Sequence, residues 1–365
     1  MNTITSKETM QIKSAANAAA GNSENRADAE SSARSWRPRR AQAGVMLIVI
    51  AAALIPLLIT PYQMFQWTMI ASYAIALLGL NILMGYNGQI SLGHGAFYAI
   101  GAYASGILID HYGMPYLWTI PAAAAIGFIA GFLFGLPALK LENLYLALAT
   151  FGLAVAVPQL LKYGAFDDWT GGFQGITIAK PDVPLGLPIT QDQWLYYLSL
   201  AVALLMFLLA RNLLHGRMGR AIIAVRDHPV AASAMGVNLV MVKSLTFGVS
   251  AMYMAVAGAL ATVSVQYVSP DSFTMFLSIT LLVGAVIGGL GTLSGPLFGA
   301  ILIGFLPNFA EQVSKSAAGA VYGVLLIAFV FIMPSGIAGG LGKLVSRLFK
   351  TKQKNSPISN QETTK

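Results

Sequence analysis

The sequence predicts an all-α membrane protein, a polytopic transmembrane bundle of about 8–10 spans. First, 56% of its 365 residues are hydrophobic and only 10% are charged, whereas soluble domains average roughly 45–50% and roughly 25%. Second, the mean hydropathy is +0.68, and long apolar runs recur along most of the chain. Third, the chain contains no cysteine, which excludes a disulfide-rich secreted scaffold and a thiolate metal site.

The apolar runs set the expected spans, because about 20 apolar helical residues cross a bilayer core about 30 Å thick. Ten runs approach this length: 44–59, 64–83, 91–109, 117–136, 143–161, 194–210, 245–264, 276–290, 296–310 and 319–338. Eight or nine spans are also compatible with the sequence if 44–59 or 276–310 is partly re-entrant. Glycines spaced four residues apart, as at Gly127 and Gly131, favour close packing between the helices.

The basic residues indicate the orientation. Residues 1–43 hold seven Lys or Arg and predict a disordered tail, because they have few large apolar side chains. Residues 343–365 hold six more and predict a second basic tail, so that 44–342 form the transmembrane domain. Lys and Arg in short loops mark the cytoplasmic side. Both termini and the segment 211–244 are therefore expected in the cytoplasm of a multi-pass inner-membrane protein, and the net charge of +8 does not indicate nucleic acid.

Several kinds of chemistry are missing from the sequence. It has no phosphate-binding loop, since Gly342-Lys343-Leu344 lacks the required hydroxyl. Its four histidines are scattered, so no metal site, bound cofactor or catalytic group is expected. No ionisable residue falls near mid-membrane, which argues against a proton-coupled carrier but leaves a sodium-coupled one open.

Two polar segments attract functional interpretations. Within 211–244, Asp227 with Pro229 predicts a helix start and Gly236 predicts its end. This segment either lies along lipid headgroups or forms a short cytoplasmic helix that docks into another protein. The second segment begins after the span 64–83 and carries four polar side chains that either line a gate or form a helix cap with a buried histidine. They are Asn87, Gln89, Ser91 and His94.

Four strings together resemble the permeases of branched-chain amino-acid ABC transporters, specifically the M-type subunit. Residues 77–103 read LLGLNILMGYNGQISLGHGAFYAIGAY, and 144–161 read LYLALATFGLAVAVPQLL, followed by Thr-Gly-Gly-x-x-Gly at 170–175. Residues 267–296 read YVSPDSFTMFLSITLLVGAVIGGLGTLSGP, and 220–247 resemble the family's coupling segment. Phe173-Gln174 stand where the family usually has Pro-Asn.

The resemblance implies a transmembrane subunit of an ATP-driven importer. Its partners would be cytoplasmic ATPase subunits that use ATP, a second and different permease subunit, and a periplasmic substrate-binding protein. The chain would also contact membrane lipid. Five residues would lie in the helix that seats in an ATPase groove. They are Arg226, Asp227, Ala231, Ala232 and Gly236.

The expected function is therefore transport, not enzymatic catalysis, with branched-chain amino acids as the substrates that the resemblance implies. Permeation of urea, short amides or aromatic acids by the same architecture is the alternative. A self-sufficient ion-coupled carrier is the third, and it predicts activity from this chain alone.

Overall fold

Apolar helices make up most of the chain in its computed structural model, which describes residues 52–57, 59–138, 143–184, 188–315, 317–332 and 336–340. The predicted tails 1–43 and 343–365, and most of the first predicted span, lie outside these residues. The chain divides into the units 1–60 and 61–365. In the first unit, the described residues include the 3₁₀ turn Ile55–Leu57.

In the second unit the described residues form helices that follow the predicted runs. In chain order these are α1 Pro61–Asn81, α2 His94–Asp110, α3 Tyr116–Ala138, α4 Asn143–Leu161, α5 Asp167–Thr170, α6 Gln191–His215, α7 Arg217–Asp227, α8 Pro229–Ala234, α9 Leu239–Val265, α10 Met275–Gly288, α11 Gly295–Val313 and α12 Ala318–Ile332. A π-helical turn, Ile82–Tyr86, extends α1. One small antiparallel pair, β1 Ile176–Thr177 with β2 Tyr267–Val268, is the sheet of the described part.

Six of the described helices are long and apolar enough to cross a membrane. They are α1 with its π turn, α3, α4, α6, α9 and α11. Three more predicted spans form shorter helices, namely α2, α10 and α12. Helix α11 extends the predicted run 296–310 at both ends, to 19 residues. The predicted class, a multi-pass helical membrane bundle, is confirmed.

Helices α1 and α9 form the centre of the bundle. The most apolar window of α9 is 83% buried and that of α1 is 72% buried, against 28% for α3 and α6. Small residues allow neighbours to approach α9 closely, as the glycine spacing predicts. A Cβ at Gly127 or Gly131 of α3 would collide with Ala255 or Ala251 of α9.

Loops gather at two ends of the bundle. The β1–β2 pair marks one, the strand end, where the Lys162 ammonium also pairs with the Asp271 carboxylate. The other, the basic end, carries Arg226 and Lys243, whose groups bond to residues 85–89. The 289–294 turn lies there too, because Asn81 bonds to it. The loop after α1, the segment around Arg226 and the 289–294 turn thus lie at the same end of the bundle.

Candidate functional site at the basic end

The segment α7–α8 is a helical hairpin at the basic end. Helix α7 ends where His228 leaves the helical conformation, and α8 begins at Pro229, whose missing N–H costs nothing in a first turn. Gly236 follows α8 with φ +84°, a left-handed conformation that glycine adopts without strain. The Asn238 side chain then caps α9 by accepting from the Met241 N–H at 3.1 Å. The predicted helix start and stop are confirmed.

One face of this hairpin is buried against the bundle. Ile222, Val225, Ala232 and Val242 form a small apolar cluster, with Tyr86 at its edge. Ala232 is only 6% exposed, so its side chain anchors the hairpin to the bundle. The assignment of the five residues to a helix that seats in an ATPase groove stays a prediction.

The outward face carries apolar side chains that the sequence analysis missed. Val230 is 81% exposed and Met235 is 85% exposed. The helix break at His228 resets the helical period between α7 and α8. Helical periodicity counted continuously through 222–235 therefore does not separate the buried face of the hairpin from its outward face. The exposed pair lies beside Ala231, which is also exposed.

Arg226 connects this hairpin to the end of α1. Its Nη1 donates to the Gly85 carbonyl at 2.7 Å, and its Nε donates to Asp227 Oδ1 at 2.8 Å. The second bond lowers the pKa of the Asp227 carboxyl, so this carboxylate stays ionised at neutral pH. Gly88, with φ +74°, packs against the Arg226 side-chain stem. The predicted charged pair therefore has a third partner, the π turn.

Asn81 is a site residue that the sequence analysis did not identify. Its Nδ2 donates to the Thr292 carbonyl at 2.7 Å, and its Oδ1 accepts from the Gly291 N–H at 2.7 Å. It is 1% exposed. A lone asparagine within a spanning apolar run is the signal that could have identified it, because polar groups there are costly and usually have a partner.

His94 lies in a completed hydrogen-bond network. The Ser250 hydroxyl donates to the Gly79 carbonyl at 2.7 Å, so Ser250 Oγ accepts from His94 Nε2–H at 2.8 Å. His94 Nδ1 then accepts from the Ser91 hydroxyl at 2.6 Å. This arrangement uses a neutral imidazole and satisfies both ring nitrogens. The geometry favours a buried, hydrogen-bonded histidine over the gate, while the N-cap of α2 is Gly93, with no side-chain cap.

The other two residues of the predicted gate behave differently. Gln89 Nε2 donates to the Lys243 carbonyl at 3.3 Å, which ties the segment after the π turn to the start of α9. Asn87 is 3% exposed, and neither atom of its amide has a hydrogen-bond partner among the described residues. The structure thus places all four residues at the basic end but does not combine them into one cluster.

The comparisons with known proteins decide the family. A profile described as the permease component of branched-chain amino acid transport systems matches residues 62–330. The chain belongs to this family. The family is one of transport permeases. Among the residues that the structure describes, no group of three or more His, Asp or Glu is placed to hold a metal ion.

Relatives of both permease types match. The high-affinity branched-chain amino acid transport system permease protein LivM of Salmonella typhimurium is 31% identical over 283 residues, which cover 71% of this chain and 66% of LivM. LivM of Escherichia coli is 32% identical over the same shares. The permease protein LivH of Salmonella typhimurium is 28% identical over 76% of this chain and 94% of LivH. This chain thus spans slightly less than two thirds of the length of these two LivM proteins. No solved structure matches it.

Proposed function

We propose that this chain is a transmembrane permease subunit of an ATP-driven, binding-protein-dependent importer for branched-chain amino acids. The single observation that carries the proposal is the family match over residues 62–330. The relatives LivM and LivH are named for this transport, and the higher identity to LivM supports an M-type subunit beside a different second permease. ATP would be used by separate ATPase subunits.

The outward face of α7–α8 supports an ATPase partner at the basic end. Val230 and Met235 expose most of their apolar surface next to the ion pair of Arg226 and Asp227. Protein interfaces commonly combine an apolar anchor with charged groups at the rim. Such a protruding hairpin suits insertion into a groove. On this proposal the basic end and both termini are cytoplasmic, and the strand end faces the substrate-binding protein across the inner membrane.

The first test is uptake of radiolabelled leucine by the native cells, with and without this gene. We expect deletion to abolish high-affinity uptake, and excess isoleucine or valine to compete with leucine in the wild type. Urea should not compete. Lysine uptake is the control for membrane energisation, and restoring the gene should restore leucine uptake.

Other outcomes would indicate a different substrate or a different class of transporter. Unchanged leucine uptake with lost urea, amide or aromatic-acid uptake would contradict the amino-acid assignment and keep the permease architecture. Uptake by this chain alone in liposomes, without ATP or a binding protein, would contradict the importer and favour an ion-coupled carrier.

The ATPase contact has its own test. Replacing Val230 with Asp places a charge where an apolar anchor would be desolvated, so we expect ATPase subunits to bind about tenfold more weakly. Quantitative copurification of the assembled transporter measures this loss. Phe173→Asp is the matched control, because Phe173 is 71% exposed but lies at the strand end. Equal recovery of ATPase with both variants would contradict the proposed docking face.

A further inference from the structure

We infer that Asn81 and Arg226 form a relay that links movement of the α7–α8 hairpin to the turn between α10 and α11. The inference rests on the proposed function, since it assumes that an ATPase moves the hairpin. It assigns a positioning role to Asn81, a residue within the bundle that touches neither the partner surface nor the predicted gate.

The first link joins the hairpin to the π turn. The Arg226 guanidinium donates to the Gly85 carbonyl at 2.7 Å. Carbonyls at a helix end lack intrahelical partners, and a cation there also interacts favourably with the helix dipole. Asp227 holds the guanidinium from the other side. A displacement of α7 must therefore either carry the Gly85 carbonyl with it or break a charge-assisted hydrogen bond.

The second link joins α1 to the α10–α11 turn. The Asn81 amide uses its donor on Thr292 and its acceptor on Gly291. The Thr292 hydroxyl in turn donates to the Gly289 carbonyl and accepts from the Gly295 N–H, the first residue of α11. One side chain of α1 therefore bonds to two consecutive residues of the connection between two membrane helices.

The two links are in direct contact with each other, so one cannot move far without the other. A Cβ at Gly85 would collide with both Asn81 Oδ1 and the Gly291 nitrogen. The Gly85 backbone, whose carbonyl accepts from Arg226, is thus in direct contact with Asn81 and Gly291. The turn itself has conformational freedom, because Gly289 has φ +113° and Gly291 has φ +76°. The two glycines therefore let the α10–α11 turn follow a shift of the π turn, and this movement reaches α10 and α11.

The relay also differs from an ordinary core contact in where it ends. Its inner end, Asn81, is 1% exposed, whereas the Arg226 side chain is 36% exposed on the hairpin that carries Val230. Hydrogen bonds that only stabilise the core do not need to extend to the surface that binds a partner. π-helical turns such as Ile82–Tyr86 also occur frequently at functional sites.

The absence of cysteine in this chain allows a direct test with two single-cysteine reporters. Ser233→Cys reports on the exposed face of the hairpin, and Leu290→Cys reports on the α10–α11 turn, where Leu290 is exposed. Each is introduced into the full transporter with its ATPase subunits in nanodiscs. The maleimide labelling rate is measured without nucleotide and with ATP plus vanadate. We expect nucleotide to change both rates by about fivefold or more.

Asn81→Leu should separate the two reporters. The hairpin reporter should keep its nucleotide response, while the response at Leu290→Cys should disappear. Asn81→Asp keeps the side-chain volume and the acceptor for Gly291 but loses the donor to Thr292, so it should at least halve the Leu290→Cys response even if the leucine variant folds poorly. Ser72→Ala is the control, since Ser72 is buried in α1 and its hydroxyl has no hydrogen-bond partner among the described residues.

The outcomes separate the relay from the proposed function. A full Leu290→Cys response in the folded Asn81 variants, or no response in the wild type, would overturn the relay. If Ser233→Cys never responds to nucleotide in any variant, the coupling role of the hairpin fails as well. Loss at Leu290→Cys in Ser72→Ala would show a general weakening of α1 and would also overturn the relay.

Discussion

Replacing Gly101 with valine is expected to abolish accumulation of the folded protein. Gly101 of α2 lies against the backbone of Ala255 in α9, and a Cβ at this position would collide with the carbonyl and Cα atoms there. Overfilling a packed core typically costs about 1–3 kcal/mol. A clash with backbone has no rotamer that relieves it, so we expect a loss at or above about 3 kcal/mol of unfolding free energy.

The measurement is the yield and melting temperature of the detergent-solubilised protein after size exclusion. Gly152→Val in α4 is the matched control, because a Cβ at Gly152 meets no atom within 4 Å among the described residues. We expect the control to accumulate like wild type. Equal behaviour of the two variants would show that α2 and α9 do not approach as closely as described.

The glycine contacts illustrate what the sequence predicts well. Apolar length placed nine of the ten runs on described helices, since the bilayer fixes how many residues a span needs. G-x-x-x-G spacing also predicted close helix packing, and Gly127 with Gly131 meets α9. These properties are local, so a single sequence displays them.

The site was less predictable because its links join distant parts of the chain. Asn81 bonds to residues 210 and 211 positions away, and one sequence gives no indication of that pairing. The small side chain of Ala232 predicts that its helix can approach a partner closely. The same property also suits the inner face of a hairpin, where the structure places it. The exposure of Val230 and Met235 depends on the turn at His228, which periodicity does not describe.

The histidine network leads to the second large effect. Replacing Ser250 with Ala removes the acceptor for His94 Nε2–H and the donor to the Gly79 carbonyl. Each buried polar group left without a partner costs about 1–3 kcal/mol. His94→Phe removes the hydrogen-bond partner of the Ser91 hydroxyl and one partner of the Ser250 hydroxyl. It should therefore destabilise the protein, even though the phenyl ring can pack against Phe97 and Phe247. Ser244→Ala on the same helix is the control, because Ser244 is buried and its hydroxyl is unpartnered among the described residues.

Thermal unfolding of the two single variants and the double variant measures the coupling. The two residues share a hydrogen bond, so the double variant should lose less stability than the sum of the single losses, by about 0.6–1.7 kcal/mol as in other membrane proteins. Additive losses would contradict the network.

The same variants distinguish a structural histidine from a gate. In the network His94 is a neutral imidazole whose two nitrogens both have partners, and it is 1% exposed. Protonation would give it a second N–H facing Ser91, whose own hydroxyl proton would lose its acceptor, so charging this side chain disrupts the helix start. On the proposed function, leucine uptake by His94→Phe should therefore fall in proportion to the folded protein, with the pH profile of wild type. A shifted pH profile at normal folded yield would contradict the structural role and support a gate at residues 87–94.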